Sequence, residues 1–270
     1  MTWTTRPRSD GAGDLSYICS GVGTPLVLVH GVGLRAEAWA GMMPMLSEHF
    51  KVCAVDMPGH GSSPLSKASQ LHDYVSRVTA FVDDLDTPCY IAGHSMGAMI
   101  ALDVAAARGD RIKGVAALNG VFNRSDAATR AVRARADALS HAGPADPTPT
   151  LQRWFGDTPE GALHDAAEAC AAWLKTADRQ GYARAYQVFA TTDGPDDRTL
   201  AALKMPALFM TGAQDPNSTP AMSHNMAARS PQGVAIIHDR AAHMMPMTHP
   251  GDVNAALIGQ FSGKEVSRAG

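Results

Sequence analysis

Short apolar runs alternate with helical segments over the first 120 residues. Leu26-Val27-Leu28-Val29-His30 is one such run, and unbroken apolar character marks a strand buried on both faces. Lys51 to Val55, Cys89 to Ala92 and Ile112 to Leu118 read as further strands, while Leu15 to Cys19 reads as an edge strand. Helical pattern lies between them. It runs from about Ala36 to Phe50, and over 71–85 with Leu71, Tyr74, Val75, Val78, Phe81, Val82 and Leu85 at helical spacing. Ala98 to Ala107 is a strong helix former. Strand and helix alternating in this way predict an α/β fold, a mostly parallel twisted sheet with helices on both faces.

The alternation stops after Asn119-Gly120. From 121 to 203 the chain is rich in alanine and charge, shows no buried strand, and holds Trp154, Phe155, Trp173, Tyr182, Tyr186 and Phe189. Gly143 to Pro149 breaks it between helices. The expected organisation is a core of residues 1–120 and 204–270, with 121–203 as a helical cap, or lid, over the sheet's carboxyl edge. Alternation returns with a strand over 206–211, a helix near 218–229, a strand over 234–237 and a closing helix near 251–261. The last seven residues are expected to fray.

Composition narrows the function classes. Apolar residues make up 45% of the 270, enough for a sizeable core. The net charge of −3, without a long run of one sign, gives no footprint for nucleic acid and no polybasic patch for a membrane. No run of 18 apolar residues and no apolar leader stretch is present, which points to the cytoplasm. The four cysteines, Cys19, Cys53, Cys89 and Cys170, form no C-x-x-C pair and read as free thiols. His30, His60 and His94 lack an acidic partner at useful spacing, so no metal is expected.

The chemistry concentrates in Gly93-His94-Ser95-Met96-Gly97. This G-x-S-x-G pattern, with a strand before it and a helix after it, sets a serine on a sharp turn that lifts its hydroxyl clear of the sheet. Glycine is needed on both sides because a side chain there would strike the neighbouring helix or strand. A serine nucleophile needs a base, and the base needs an orienting acid. Asp215 follows the strand over 206–211, and His243 lies in the loop after the next strand, so both fall at the carboxyl edge where ligands of open α/β sheets bind. His238 and His249 are rivals for the base, but His243 lies mid-loop. Asn119 rivals Asp215 by position and lacks the carboxylate that steadies an imidazolium. His94 is expected to point away from the hydroxyl. The oxyanion donors are expected to be the backbone amides of Met96, at the helix N-terminus, and Val32, in the loop after the first buried strand.

With these pieces placed, the chain resembles the α/β-hydrolase family over nearly everything outside the insertion. The resemblance rests on His30-Gly31, Asp56-Met57-Pro58-Gly59-His60-Gly61-Ser62-Ser63, the turn at Ser95, Gly212 to Asp215, and His243 with Pro250 seven residues on. It implies triad roles for Ser95, Asp215 and His243, oxyanion roles for Val32 and Met96, and a helical cap that shapes the pocket. Within the family the chain looks most like the small bacterial enzymes related to 3-oxoadipate enol-lactonase and carboxylesterases. Serine at the turn argues against the haloalkane dehalogenases and epoxide hydrolases, which carry aspartate there. Carbon–carbon hydrolases of ring-cleavage pathways usually have a proline-glycine pair soon after the first His-Gly, where this chain has Leu34-Arg35.

The expectation is a cofactor-free serine hydrolase acting on a small ester or lactone. Alternatives are a carbon–carbon hydrolase of a ring-cleavage product, a cofactor-free perhydrolase and, least favoured, a non-catalytic ligand receptor. Arg35 and Arg124 are candidates to hold a substrate carboxylate. Trp39 and Trp154 are candidates to line an apolar pocket.

Overall fold

The computed structural model describes residues 3–141 and 146–262. Residues 143–145 of the expected break and the fraying end lie outside the described residues. Eight strands form one sheet: β1 (Ser9–Gly11), β2 (Leu15–Ser20), β3 (Pro25–Val29), β4 (Lys51–Val55), β5 (Cys89–His94), β6 (Ile112–Leu118), β7 (Ala207–Gly212) and β8 (Gly233–His238). Their order across the sheet is β1-β2-β4-β3-β5-β6-β7-β8. β1 and β2, and β2 and β4, pair antiparallel, and every other pair is parallel.

Eleven α-helices accompany the sheet among the described residues. They are α1 (Met43–Leu46), α2 (Leu71–Asp83), α3 (Met96–Ala107), α4 (Asp126–His141), α5 (Thr148–Phe155), α6 (Ala162–Thr176), α7 (Arg179–Thr191), α8 (Asp197–Ala202), α9 (Pro220–Arg229), α10 (Met245–Thr248) and α11 (Pro250–Ser262).

Successive strand side chains point to opposite faces, and the two cores follow that period. Val27, Val29, Cys53, Val55, Ala207 and Phe209 face the core built with α2, α3 and α9. Leu26, Leu28, Val52, Ala54, Leu208 and Met210 face Trp39, Met42, Met43 and α11. Both faces of the inner strand β3 are covered and all five of its residues are buried, which is why it reads as an unbroken apolar run rather than an alternating one.

Three boundaries differ from the sequence pattern. The stretch from Ala36 to Phe50 is not one helix but a 3₁₀ turn over Ala36–Trp39 followed by α1. Gly41 and Pro44 interrupt it, since proline lacks the N–H that an interior turn requires. β2 is not the edge strand, because the polar three-residue β1 lies outside it. Finally, α8 packs against α3 and α9 rather than with the other helices between β6 and β7.

The strand order reverses at β3, with β4 on one side and β5 on the other. Such a reversal opens a crevice at the carboxyl ends of the two diverging strands. The loop after β3 and the turn after β5 meet there.

Candidate active site

Ser95 joins β5 to α3 with φ 57° and ψ −117°, a left-handed conformation that L-residues rarely adopt. The flanking glycines permit it. A Cβ at Gly93 would lie 1.9 Å from the Gly97 carbonyl oxygen, and one at Gly97 would lie 2.1 Å from that of Val29. No side chain fits at either position, as the motif predicts. The first turn of a helix leaves its amides without intrahelical acceptors, and Met96 is the first residue of α3.

The three side chains expected from the sequence converge on this crevice. His243 Nε2 lies 3.2 Å from Ser95 Oγ. His243 Nδ1 lies 2.8 Å from Asp215 Oδ2. A carboxylate only accepts, so Nδ1 carries the hydrogen and Nε2 is left as an acceptor for the serine hydroxyl. All three residues are buried.

Burial pushes the Asp215 carboxyl up, but the imidazole of His243 and three hydrogen bonds outweigh it, so the group sits below its ordinary value. The donors are His243 Nδ1, Asn119 Nδ2 at 2.9 Å and the Asn217 amide at 2.8 Å. Asn119, the rival of Asp215 in the sequence, is therefore its hydrogen-bond donor. It is held at φ 51° and also reaches Thr211 Oγ1 and the Ala242 carbonyl.

Three buried histidines frame the site without competing for the base role. His94 Nε2 donates to the His243 backbone carbonyl at 2.8 Å, so the ring anchors the loop that carries His243. His30 donates from Nδ1 to the Gly31 carbonyl and accepts the Met57 amide at Nε2. His60 donates from Nδ1 to the Pro58 carbonyl and accepts the Gly33 amide at Nε2. Burial is the largest cause that depresses all three, and His30 and His94 are lowered to about 3.

The loop after β3 is fixed from below. Asp56, at the end of β4, accepts the Ala36 amide at 2.7 Å and the Ser62 amide at 2.9 Å. Arg8, with its side chain 7% exposed, joins Asp56 to Glu37. A buried charge cluster of this kind is costly to break by removing one member, because the remaining charges lose compensation. Nothing local in the sequence marks Arg8 for this role.

The cavity beside Ser95 has a volume of about 40 Å³. Gly31, Val32 and Leu34 line it from the loop after β3, and Arg135, Arg153, Trp154, Tyr186 and Phe189 line it from α4, α5 and α7. Trp154 stacks over the His243 ring at 6.4 Å between centroids. Of the residues expected to contact substrate, Val32 and Trp154 are here.

Arg35, Arg124 and Trp39 are not. Arg35 is drawn to Glu37 at 2.9 Å. Arg124 packs over the Phe189 ring and donates to the Thr192 and Phe189 carbonyls and to Asp193. Trp39 is buried in the core on the opposite face of the sheet from α3. Local hydrogen-bonding partners hold the two arginines, and apolar packing holds Trp39, away from the crevice.

Arg135 and Arg153 had no signal in the sequence. Arg135 Nε donates to the Tyr186 hydroxyl at 3.0 Å. Arg153 donates to the Pro149 carbonyl at 2.8 Å and to Thr150 Oγ1 at 3.0 Å. Neither pairs with a carboxylate among the described residues. Burial, and further the nearby Arg135 charge, hold Arg153 below its ordinary value. Among the described residues, no group of three or more His, Cys, Asp or Glu could hold a metal ion, and no helix is long and apolar enough to cross a membrane.

Comparison with known proteins agrees with this fold. An (E)-2-((N-methylformamido)methylene)succinate hydrolase of Acinetobacter baylyi is 41% identical over 243 residues, 89% of this chain and 91% of that protein. A pimeloyl-[acyl-carrier protein] methyl ester esterase of Chromobacterium violaceum is 28% identical over 244 residues, 88% of this chain and 94% of its own length. Among solved structures, the enol-lactonase of Burkholderia xenovorans LB400 superposes with a TM-score of 0.84 at 23% identity, covering 95% of this chain and all of that one. The model of the alpha/beta hydrolase family matches residues 26–256, from β3 into α11, and with the sheet order and the strained serine turn it establishes that this chain is a hydrolase of the alpha/beta hydrolase family.

Proposed function

We propose that the protein is a serine hydrolase that cleaves a small, carboxylate-bearing ester or lactone through an acyl-enzyme. The observation that carries this reading is the continuous hydrogen-bonded series Ser95 Oγ, His243 Nε2, His243 Nδ1, Asp215 Oδ2 at the crevice. Ser95 Oγ attacks the acyl carbon while His243 Nε2 takes its proton. Asp215 steadies the imidazolium and fixes its tautomer. The amides of Val32 and Met96 receive the developing oxyanion. His243 returns the proton to the leaving alcohol, and water, activated by the same imidazole, then releases the acid and frees Ser95. The chemistry needs no cofactor. The helices α4 to α7 act as a cap, of which α4, α5 and α7 line the cavity.

The cavity's 40 Å³ is room for a few waters, so substrate enters as the helices around Trp154 give way. Arg135 and Arg153, two cations without an acidic partner among the described residues, support an anionic substrate. The relative at 41% identity has a name that describes a dicarboxylate bearing a formamide. That name favours a second reading, hydrolysis of a small N-acyl compound by the same relay.

A fluorophosphonate tests the relay. One equivalent should bond covalently to the protein, and peptide mapping should place it on Ser95. An ester turned over by protein whose Ser95 stays unlabelled would remove the proposal.

The arginines are tested separately. Arg135→Met and Arg153→Met should each raise KM for a carboxylate-bearing ester by about 10- to 100-fold, the worth of a charge-assisted hydrogen bond. A neutral aryl ester should respond by less than about threefold, as it makes no such bond. Equal losses on both esters would mean that the arginines only support the cap.

A further inference from the structure

The antiparallel side of the sheet holds a pair of thiols that the hydrolytic site does not use. Cys19 on β2 stands directly opposite Cys53 on β4 in the strand register. Their sulfurs are 3.6 Å apart.

The register also fixes the kind of pair. Asp56 N–H donates to the Ser16 carbonyl at 2.8 Å, which makes Ser16 and Asp56 a hydrogen-bonded pair. Pair types alternate along an antiparallel ladder. Tyr17–Val55 is therefore non-hydrogen-bonded, Ile18–Ala54 is hydrogen-bonded, and Cys19–Cys53 is non-hydrogen-bonded again. In a non-hydrogen-bonded pair the Cα atoms are about 4.5 Å apart and the side chains stand closest. That separation lies inside the roughly 4.4–6.8 Å range that a disulfide spans. The sulfurs need to close by about 1.5 Å to reach bonding distance, which side-chain rotation supplies without moving either strand.

We propose that Cys19 and Cys53 are a modification site, oxidised by a peroxide to an intramolecular disulfide that staples β2 to β4. The two thiols have unequal roles. Cys19 is exposed and meets the oxidant first, while Cys53 is buried. Burial, the largest cause, pushes the Cys53 thiol up to about 12, so it is not the thiolate that attacks. The Cys19 thiolate attacks one peroxide oxygen, the O–O bond breaks, and the departing hydroxide becomes water. Cys19 is left as a sulfenic acid. The Cys53 sulfur then attacks the Cys19 sulfur, the S–O bond breaks, and the hydroxyl leaves as water with the Cys53 proton. Two thiols are oxidised and one peroxide is reduced to two waters.

The site is independent of the hydrolytic reading, since β4 and β2 lie two and three strands from β5. β4 leads directly into Asp56, which holds the Ala36 and Ser62 amides. The staple therefore sits on the strand that supports the loop after β3.

The test treats the full-length protein with graded hydrogen peroxide and reads intact mass, thiol count and a non-reducing digest. The free thiols should fall from four to two, the mass should drop by two hydrogens, and the digest should contain the Cys19 peptide linked to the Cys53 peptide. Dithiothreitol should reverse all three. In Cys53→Ser the Cys19 sulfenic acid should persist and be captured by dimedone, and Cys19→Ser, an exposed change that spares the core, should retain the other thiols and form no link. Four surviving thiols would overturn the proposal. So would Cys19 advancing to a sulfinic acid in the unsubstituted protein while Cys53 stays reduced, or a link found only between two chains.

Discussion

Ser95→Ala is expected to lower kcat on an activated ester by about 10⁴- to 10⁶-fold, the range over which loss of a serine nucleophile reduces turnover when binding and the oxyanion donors remain. The substitution is conservative in every other respect. Ser95 is buried, and its hydroxyl has one hydrogen-bond partner among the described residues, His243 Nε2 at 3.2 Å. Alanine keeps the Cβ and is no more strained than serine at φ 57°. The thermal midpoint should therefore hardly move while turnover collapses. The fluorophosphonate label should disappear with it. Residual kcat within about tenfold of the unsubstituted protein would show that the nucleophile lies elsewhere, since the proposed step has no substitute oxygen.

Acid should destabilise the fold well above the pH at which carboxylates protonate. His30 and His94 are held near 3 against an ordinary value of 6.5. Above pH 6.5 both are neutral in the folded and the unfolded chain and contribute nothing to the pH dependence. Below it the unfolded chain takes up protons that the folded chain refuses, and stability falls with pH until the folded value is reached. Each unit is worth about 1.4 kcal/mol per histidine, so at pH 4.5 the pair should cost about 5 kcal/mol. That is comparable with the whole stability of many domains.

The hydrogen bonds give the same sign. Protonating His30 Nε2 would set it against the Met57 N–H, and protonating His60 Nε2 would set it against the Gly33 N–H. His60 is also depressed and adds to the loss. Urea unfolding at pH 7.5, 6, 5 and 4.5 measures this directly. An unfolding free energy that stays flat from 7.5 to 5 would show that these rings are not held neutral.

The chain announced its sheet through unbroken apolar runs. Leu26 to Val29 is too short for a buried helix and hides four consecutive apolar side chains as a strand covered on both faces. It announced the site through position. Ser95, Asp215 and His243 each lie just past a strand, and parallel strands deliver their carboxyl ends to one edge, so chain order alone brought three distant residues to one crevice.

Substrate-facing side chains are a choice among chemical equivalents. Arg35, Arg124, Arg135 and Arg153 are chemically alike, and their distances along the chain from a motif say little about reach. The nearness of Glu37 and Asp193 withdrew the first two, and the docking of α4 and α5 brought the last two inward. On α4, Arg130 and Arg133 are exposed while Arg135 is half-buried at the cavity. A helix's pattern gives its buried face but not what lies opposite.

By itself, then, the sequence determined the periodic and local features: which segments are strands, where the backbone must turn sharply at Gly93 and Gly97, and which serine, acid and histidine follow strand ends. Only the tertiary structure decided the features that depend on registers and partners. These include Arg8 between Glu37 and Asp56, Asn119 as a donor to Asp215 rather than its substitute, Cys19 opposite Cys53, and two arginines beside Ser95. The physical reason is range. Side-chain periodicity and backbone sterics act over a few residues and are written in order along the chain, whereas ion pairs, strand register and helix docking join residues tens to more than a hundred positions apart. Their selection rests on small differences in burial and charge compensation that only the assembled core sets.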